Sequence, residues 1–466
     1  MTLNRREFVA ASAAAAASVP KHSLSPSGPI FHPEDFGAKG DGATNDTAAF
    51  QRLSKAVNDR GGGTISFRAK HTYVVGAQTP TPRHGWSPEP ILELHDLTAP
   101  LIILGNGARL LAQVGMRFGT FDLETGEPVQ HPMPYVKPVD LAQLYRGMIW
   151  IHDCRAPISV SNVELDGNLR KLRVGGKYGD TGWQIGATGL FLVKNLASEH
   201  IENVYTHHHA TDGAMIVGDP GRSGRTTVSR LVSRYNGRQG LSITGGHGYD
   251  LADCEFSHTG RAGISSAPGA GVDIEAENPP IRDVNFTRCA FVDNSGCGLV
   301  ADSGDSADAH FIACRFVGTT QWSAWPKKPG FRFSGCTFAG SVVHAYPDND
   351  PERAAHFTNC IFTDDPKLSP NGQVYVGGGP IVNLAKSDNV LFDGCTFTLV
   401  DKGVLPWSWN AVYRNCTMRQ RSPRVATPKG KFLGRTTIEA RVDLYGSEID
   451  GVVIVNGRQL PPGHIG

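Results

Sequence analysis

No apolar run in this chain is long enough to cross a bilayer, which takes about 20 residues; the longest candidate is the short stretch Ala10 to Val19. Neither sign of charge is in excess. Lys plus Arg number 45 against 44 Asp plus Glu, for a formal net charge of +1. No basic face is indicated, and a duplex nucleic-acid partner is excluded on that ground. Helical periodicity is missing over residues 150–420, which argues against helical repeats. Coiled-coil heptads are missing too, and the chain is expected to be a monomer. What is plentiful is turn chemistry, with 55 glycines and 30 prolines. The 466 residues, 40% of them hydrophobic, suffice for two or three ordinary domains or for one continuous repeat core.

The N-terminus reads as an address. Asn4-Arg5-Arg6-Glu7-Phe8-Val9 precedes the alanine-rich stretch. A basic start, a short apolar run and small residues read as an export signal, and the paired arginines resemble a twin-arginine signal. Residues 1–28 are therefore expected to be removed, leaving a periplasmic or secreted protein with no membrane partner.

Nine cysteines in an exported chain normally suggest disulfides, but their spacing suggests a repeat. Cys-x-Phe occurs at Cys254/Phe256, Cys289/Phe291, Cys314/Phe316, Cys336/Phe338, Cys360/Phe362 and Cys395/Phe397, with Cys416/Met418 as a seventh variant, at steps of 21 to 35 residues. A second phrase interleaves with it: a glycine leading a short apolar strand at Gly189, Gly213, Gly240, Gly271 and Gly298, at steps of 24, 27, 31 and 27 residues. A propeller blade needs about 40 residues or more. Shorter periods with two or three strands each indicate a stacked solenoid. The expected fold is all-β, a parallel β-helix, right-handed by the crossover rule, over residues 29–420. Residues 421–466 are expected to supply last rungs or a C-terminal cap. Equivalent inward positions stack about 4.8 Å apart, so the cysteines are expected to form a buried column of reduced thiols.

A solenoid end must be covered. Residues 34–57 read as strand, glycine-rich turn and helix, with Asn45 or Asp46 as the cap and Phe50, Leu53 and Val57 as an apolar stripe. The segment that leads into this capping helix is Asp35-Phe36-Gly37-Ala38-Lys39-Gly40-Asp41-Gly42, followed by Asn45-Asp46-Thr47. The motif resembles the entrance of the pectate-lyase-like superfamily, which includes rhamnogalacturonase- and epimerase-like β-helix proteins. The resemblance implies the β-helix fold and a carbohydrate partner. It leaves the reaction open among hydrolases, lyases, epimerases and phage tailspikes.

The chemistry is sought in GVDIEAEN, residues 271–278. In a strand, alternate side chains share a face. Val272, Ile274 and Ala276 would point inward, and Asp273, Glu275 and Glu277 outward. With the glycines as register, Asp302 of the next rung falls beside Glu275. Packed carboxylates push their pKa values apart, which suits one as general acid and another as base or nucleophile for glycosidic cleavage. Asp273, Glu275 and Asp302 are the catalytic candidates. The same acids also fit a solvated outer face, or a calcium ion. Calcium would accompany a lyase, with Arg238, Lys177 or Arg261 as base or uronate partner. No other cofactor is expected.

Candidate substrate-binding residues are Asp212, His208, Arg238, Glu277, Trp322 and Trp325. The tryptophans are placed in a loop after the Cys314 strand, where an aromatic plane suits a sugar face. His207-His208-His209 are read as a turn or sugar-contacting cluster in preference to a metal site, whose ligands would have to converge from several segments. Asp212-Gly213 and Gly246-His247-Gly248 resemble elements of polygalacturonase-type hydrolases. The paired-aspartate and Arg-Ile-Lys elements of that family are missing where expected, and its mechanism is not carried over. The leading expectation is an exported enzyme that hydrolyses a glycan. A polysaccharide lyase and a non-catalytic glycan-binding β-helix are the alternatives.

Overall fold

The computed structural model describes residues 28–81, 85–130, 141–178, 182–384 and 386–466. The export-signal reading falls on residues 1–28, all but the last of which lie outside the described residues. Among the described residues no helix is long and apolar enough to cross a membrane.

The chain folds as a parallel β-helix. Each rung contributes two strands to one 28-stranded sheet and, over most of the length, a third strand to a 10-stranded sheet. The rung starting at Ala309 is representative: Ala309–Ile312, a bend, Arg315–Val317, a loop, then Ala324–Pro326. The bend is made by a single residue with positive φ. Stacked rungs repeat it at Asn162, Asn203, Arg230, Asp253, Arg288, Ala313, Asn359 and Asn415, with φ between 52° and 56°, and at Gly335 and Gly394. Asn and Gly enter the left-handed region most easily, which explains their frequency here.

The repeat seen in the sequence is this corner. Cys follows the left-handed residue and points inward, and Phe follows two residues later. All nine cysteines are free and buried. Each thiol of the column donates to a carbonyl of the preceding rung, for example Cys336 Sγ to Phe311 O at 3.3 Å and Cys395 Sγ to Phe357 O at 3.2 Å. The phenylalanines two residues on stack face to face: Phe291–Phe316 at 4.5 Å, Phe316–Phe338 at 4.8 Å and Phe338–Phe362 at 5.0 Å between ring centres. A second aromatic column runs beside it, three residues before each cysteine: Phe286, Phe311, Phe333, Phe357, Phe392 and Tyr413, spaced 4.8 to 5.3 Å.

The N-terminal helix, Thr47–Arg60, buries Phe50, Leu53 and Val57 completely and covers the first rungs, with Phe50 against Phe67 and Tyr73. Asp46 holds the N-cap position but makes no side-chain bond to the helix; Asn45, one residue earlier, accepts from Thr47 N at 3.0 Å. Asp46 turns back instead and accepts from Lys39 N and Gly40 N, so the glycine-rich entrance is held by the residue beside the helix start. At the other end, Pro428–Glu439 and Glu448–Val455 continue the parallel stack. The antiparallel strands Arg458–Gln459 and Gly463–His464 then fold over the last rung. Three excursions from the early rungs build a separate five-stranded sheet, which includes Arg117–Thr120 and Arg173–Val174.

Candidate functional site

The outer face of the 10-stranded sheet carries one column of outward side chains. Its rung-to-rung partners are Glu93, Trp150, Phe191, Met215, Ser242, Asp273, Val300 and Trp325. The glycine register of the sequence thus holds: Met215, Ser242, Asp273 and Val300 are stacked neighbours. Val272 and Ile274 face the core and are buried, whereas Glu275 and Glu277 are exposed.

Beyond Val300 the register departs from the expected one. Asp273 pairs with Val300, but Ala276 pairs with Gly304. One extra residue therefore lies in the later rung. Glu275 meets Ser303, whose hydroxyl donates to its Oε1, and the expected strict pairing of Glu275 with Asp302 is replaced by a shared site one residue wider.

Asp273 is the centre of this site. It is 7% exposed and accepts from Gln239 Nε2 at 2.7 Å. Burial pushes its carboxyl well above the usual carboxylate range. Repulsion from Glu275 adds to the shift, Arg238 opposes it, and Asp212 and Asp302 push the same way as Glu275. The group holds its proton where an ordinary aspartate has lost it. Lys328 faces the same acids; burial lowers its pKa, against the pull of Asp302, Asp305 and Glu275, and its Nζ donates to Gly304 O at 2.6 Å.

Asp212 and Arg238 form the floor beside Asp273. The guanidinium donates to both Asp212 oxygens, at 2.8 and 2.6 Å, and Ser242 Oγ donates to Asp212 Oδ2 at 3.0 Å. Burial works against the Arg238 charge, but Asp212, with Asp273 and Glu277, carries its pKa above the ordinary value. Two expectations change here. Asp212 has no exposed surface, so it holds Arg238 rather than touching a ligand. Arg238, more firmly charged than usual, is no proton-abstracting base. Its side chain keeps 24% exposure and also donates to Gln184 Oε1 at 3.2 Å.

The remaining candidates divide. Trp325 lies in a strand rather than a loop, two rungs beyond Asp273 in the same column. Trp322 meets it edge-on at 5.2 Å, and both pack on Ala270, Cys297 and Val300. Arg261 is engaged by Asp293, Thr319 and Thr320 at the adjacent corner. Lys177 lies over the Trp183 ring. His208 is not on this sheet. It occupies the corner between the two sheets with φ 54° and stacks on Tyr235, which stacks on His258. Burial, and then the charge of His207, lower its pKa to about 4. His209 is buried completely, bonded to Tyr145 Oη and Leu165 O.

A second group of polar residues adds to His207 and His208 partners that the sequence did not single out. On the large sheet, Glu164 pairs with Tyr205 and Asp166 with His207 on adjacent rungs, and Tyr205 with Val232 and His207 with Arg234 on the next. Arg109 contacts Asp166 and approaches Glu164 at 3.4 Å. Tyr205 stacks on His207 at 4.2 Å. A cavity of about 400 Å³ opens beside them, lined in part by Glu164, Tyr205, Arg230 and Arg234. The signal was faint in the sequence, because 41 residues separate Asp166 from His207 and an excursion interrupts the repeat between them. Among the described residues, Asp166, His207 and His208 form the one group of three or more His, Cys, Asp or Glu side chains whose ligand atoms all lie within 4.8 Å of one another; the acid row is not such a group.

No family model matches the chain. A 39% identity over 85 residues links it to the capsule KN3-specific depolymerase 1 of Klebsiella phage KN3-1, covering 18% of this chain and 10% of that protein. Among solved structures, the N-terminal fragment of bacteriophage phi29 gene product 12 superposes with a TM-score of 0.56 at 13% identity, over 93% of this chain and 73% of that one. The A-module of Azotobacter vinelandii mannuronan C-5 epimerase AlgE4 is similar over 94% of this chain and 99% of its own, with a TM-score of 0.47 and 15% identity. At the identity of the phi29 fragment, likeness speaks to fold alone.

Proposed function

We propose that this protein is an exported carbohydrate-active enzyme that cleaves glycosidic bonds, with Asp273 as general acid and Glu275 or Asp302 as base or nucleophile. The observation that carries the reading is the buried, proton-holding Asp273 between accessible carboxylates on an outward column. Glycosidic cleavage needs this division: one carboxyl that still has a proton for the leaving oxygen, and one that is ionised. Arg238, fixed by Asp212, supplies a positive contact for a substrate oxygen. Trp150 and Phe191 lie four and three rungs before Asp273, and Trp325 two rungs after. At about 4.8 Å per rung they offer apolar platforms for a glycan laid along the helix axis. The short match to a phage capsule depolymerase favours a polysaccharide substrate.

The test is a glycan panel, neutral and acidic, assayed for new reducing ends. Glu275→Gln and Asp302→Asn are made separately, and Asp273→Asn as the acid variant. Loss of cleavage of about a hundredfold or more in Asp273→Asn, and in at least one of the other two, is expected. Undiminished cleavage in all three sinks the assignment.

A second reading, β-elimination on a uronate-containing glycan, is favoured by the cavity beside Tyr205. There Arg230 and Arg234, each already paired to an acid (Glu202 and Glu255), would face the uronate carboxylate, and Tyr205 would take the proton beside it as the bond to the β oxygen breaks, with water protonating the leaving oxygen. It predicts an unsaturated, ultraviolet-absorbing product, insensitivity to the acid-row variants and loss of activity in Tyr205→Phe.

A further inference from the structure

We infer that Asp166, His207 and His208 form a binding site for a single transition-metal ion of the zinc class. The three ligand atoms come from two adjacent rungs and one corner. His207 Nδ1 lies 2.7 Å from His208 Nδ1 and 3.8 Å from Asp166 Oδ1, and all three lie within 4.8 Å of one another. Zinc holds imidazole nitrogen and carboxylate oxygen at about 2.0–2.2 Å in a tetrahedron, which spaces ligand atoms roughly 3.3 Å apart. The observed separations bracket that figure, so a small rotation of the two rings opens the site.

The surroundings prepare each ligand. His207 Nε2 lies 3.3 Å from Glu164 Oε1, the carboxylate–histidine arrangement that orients a metal-bound imidazole and raises its basicity. This contact leaves Nδ1 to face the other two ligands. Arg109 engages Asp166 through Oδ2, and Asn168 N donates to Oδ1 at 2.7 Å, so the carboxylate is fixed while Oδ1 keeps a lone pair. Stacking on Tyr205 and Tyr235 holds the planes of the two rings while letting each turn within its own plane. Two imidazoles and one carboxylate suit zinc, iron or nickel better than calcium, which takes six to eight oxygens. A three-ligand set leaves a fourth position for water or a ligand.

The experiment uses the full chain, stripped with a chelator and dialysed against zinc alone. One zinc per chain by elemental analysis is expected, and visible absorption from tetrahedral cobalt in its place. His208→Gly suits the left-handed corner, so the backbone is not threatened; it and Asp166→Asn should lose stoichiometric zinc. Glu164→Gln should weaken binding about 10–100-fold. No uptake by the stripped chain, or wild-type uptake by both His208→Gly and Asp166→Asn with native circular dichroism, overturns the inference and leaves a histidine–histidine hydrogen bond. The acid row supplies no ligand, so zinc uptake and glycan cleavage by Asp273 fail or succeed separately.

Discussion

A buried aspartate that keeps its proton costs the fold stability as the pH rises, and Asp273 is such a residue. Its folded pKa lies above its unfolded value. The native state therefore binds the extra proton, and stability present below the unfolded value, about 3.9, is lost as pH rises through the folded pKa. Asp273→Asn removes the titration while its amide oxygen still accepts from Gln239. The variant is expected to be inactive, yet to gain stability relative to the parent at neutral and alkaline pH. Urea titrations at pH 5 and pH 8 check this; an equal offset at both values contradicts the protonation argument. In the parent, cleavage that depends on the acid form falls on the alkaline side as Asp273 ionises. The acid row itself was legible in GVDIEAEN because strand alternation needs no partner. What lay between Val300 and Gly304 was not, since one inserted residue leaves the glycine spacing intact and shifts only the side chains between.

At the scale of the element, the informative unit is the corner: Phe, two residues on a left-handed residue, then Cys, then Phe. Half of it was readable. Cys-x-Phe marks the inner side of the second strand; the aromatic three residues before most of these cysteines keeps an equally fixed spacing, but it stands on a different strand across the left-handed corner, where strict alternation breaks and no longer assigns its face. Two consequences can be measured. Phe338 is completely buried and stacked on both sides, so Phe338→Ala should cost roughly 3–5 kcal/mol, read as a lower midpoint in chemical denaturation. Ala313 has φ 52° and is exposed. A left-handed alanine is strained by about 1 kcal/mol, so Ala313→Gly should stabilise, against the usual direction for that substitution. A lower midpoint for Ala313→Gly would show that the corner is not strained. The histidine cluster was the least legible element. Asp166 and His207 stand on strands whose separation, 41 residues, fits no step of the repeat, and pairing rather than sequence distance brings them together.

The described residues form a one-dimensional stack in which each rung pairs its strands with its neighbours and a few long side chains, such as Arg238 to Gln184 and Arg261 to Thr319, reach one rung further; it is closed by the Thr47–Arg60 helix at one end and the antiparallel strands at the other. Architecture at this scale was readable because a period survives variation in any single rung. The excursions that form the five-stranded sheet were not, since they carry no period. In such an array, stability is close to a sum of rung terms and neighbour terms, and opening begins where neighbours are fewest.

The free thiols turn that statement into something observable. Seven of them, from Cys254 to Cys416, mark successive rungs, and each is shut away from solvent. An alkylating reagent reaches a given sulfur only when its own rung has opened. Pulsed labelling in rising urea, read by peptide mass, should therefore modify Cys416 at lower denaturant than Cys336, and simultaneous modification of all seven would mean that the coil melts as one block. The cysteines are a ruler laid along the axis, graduated by the protein itself.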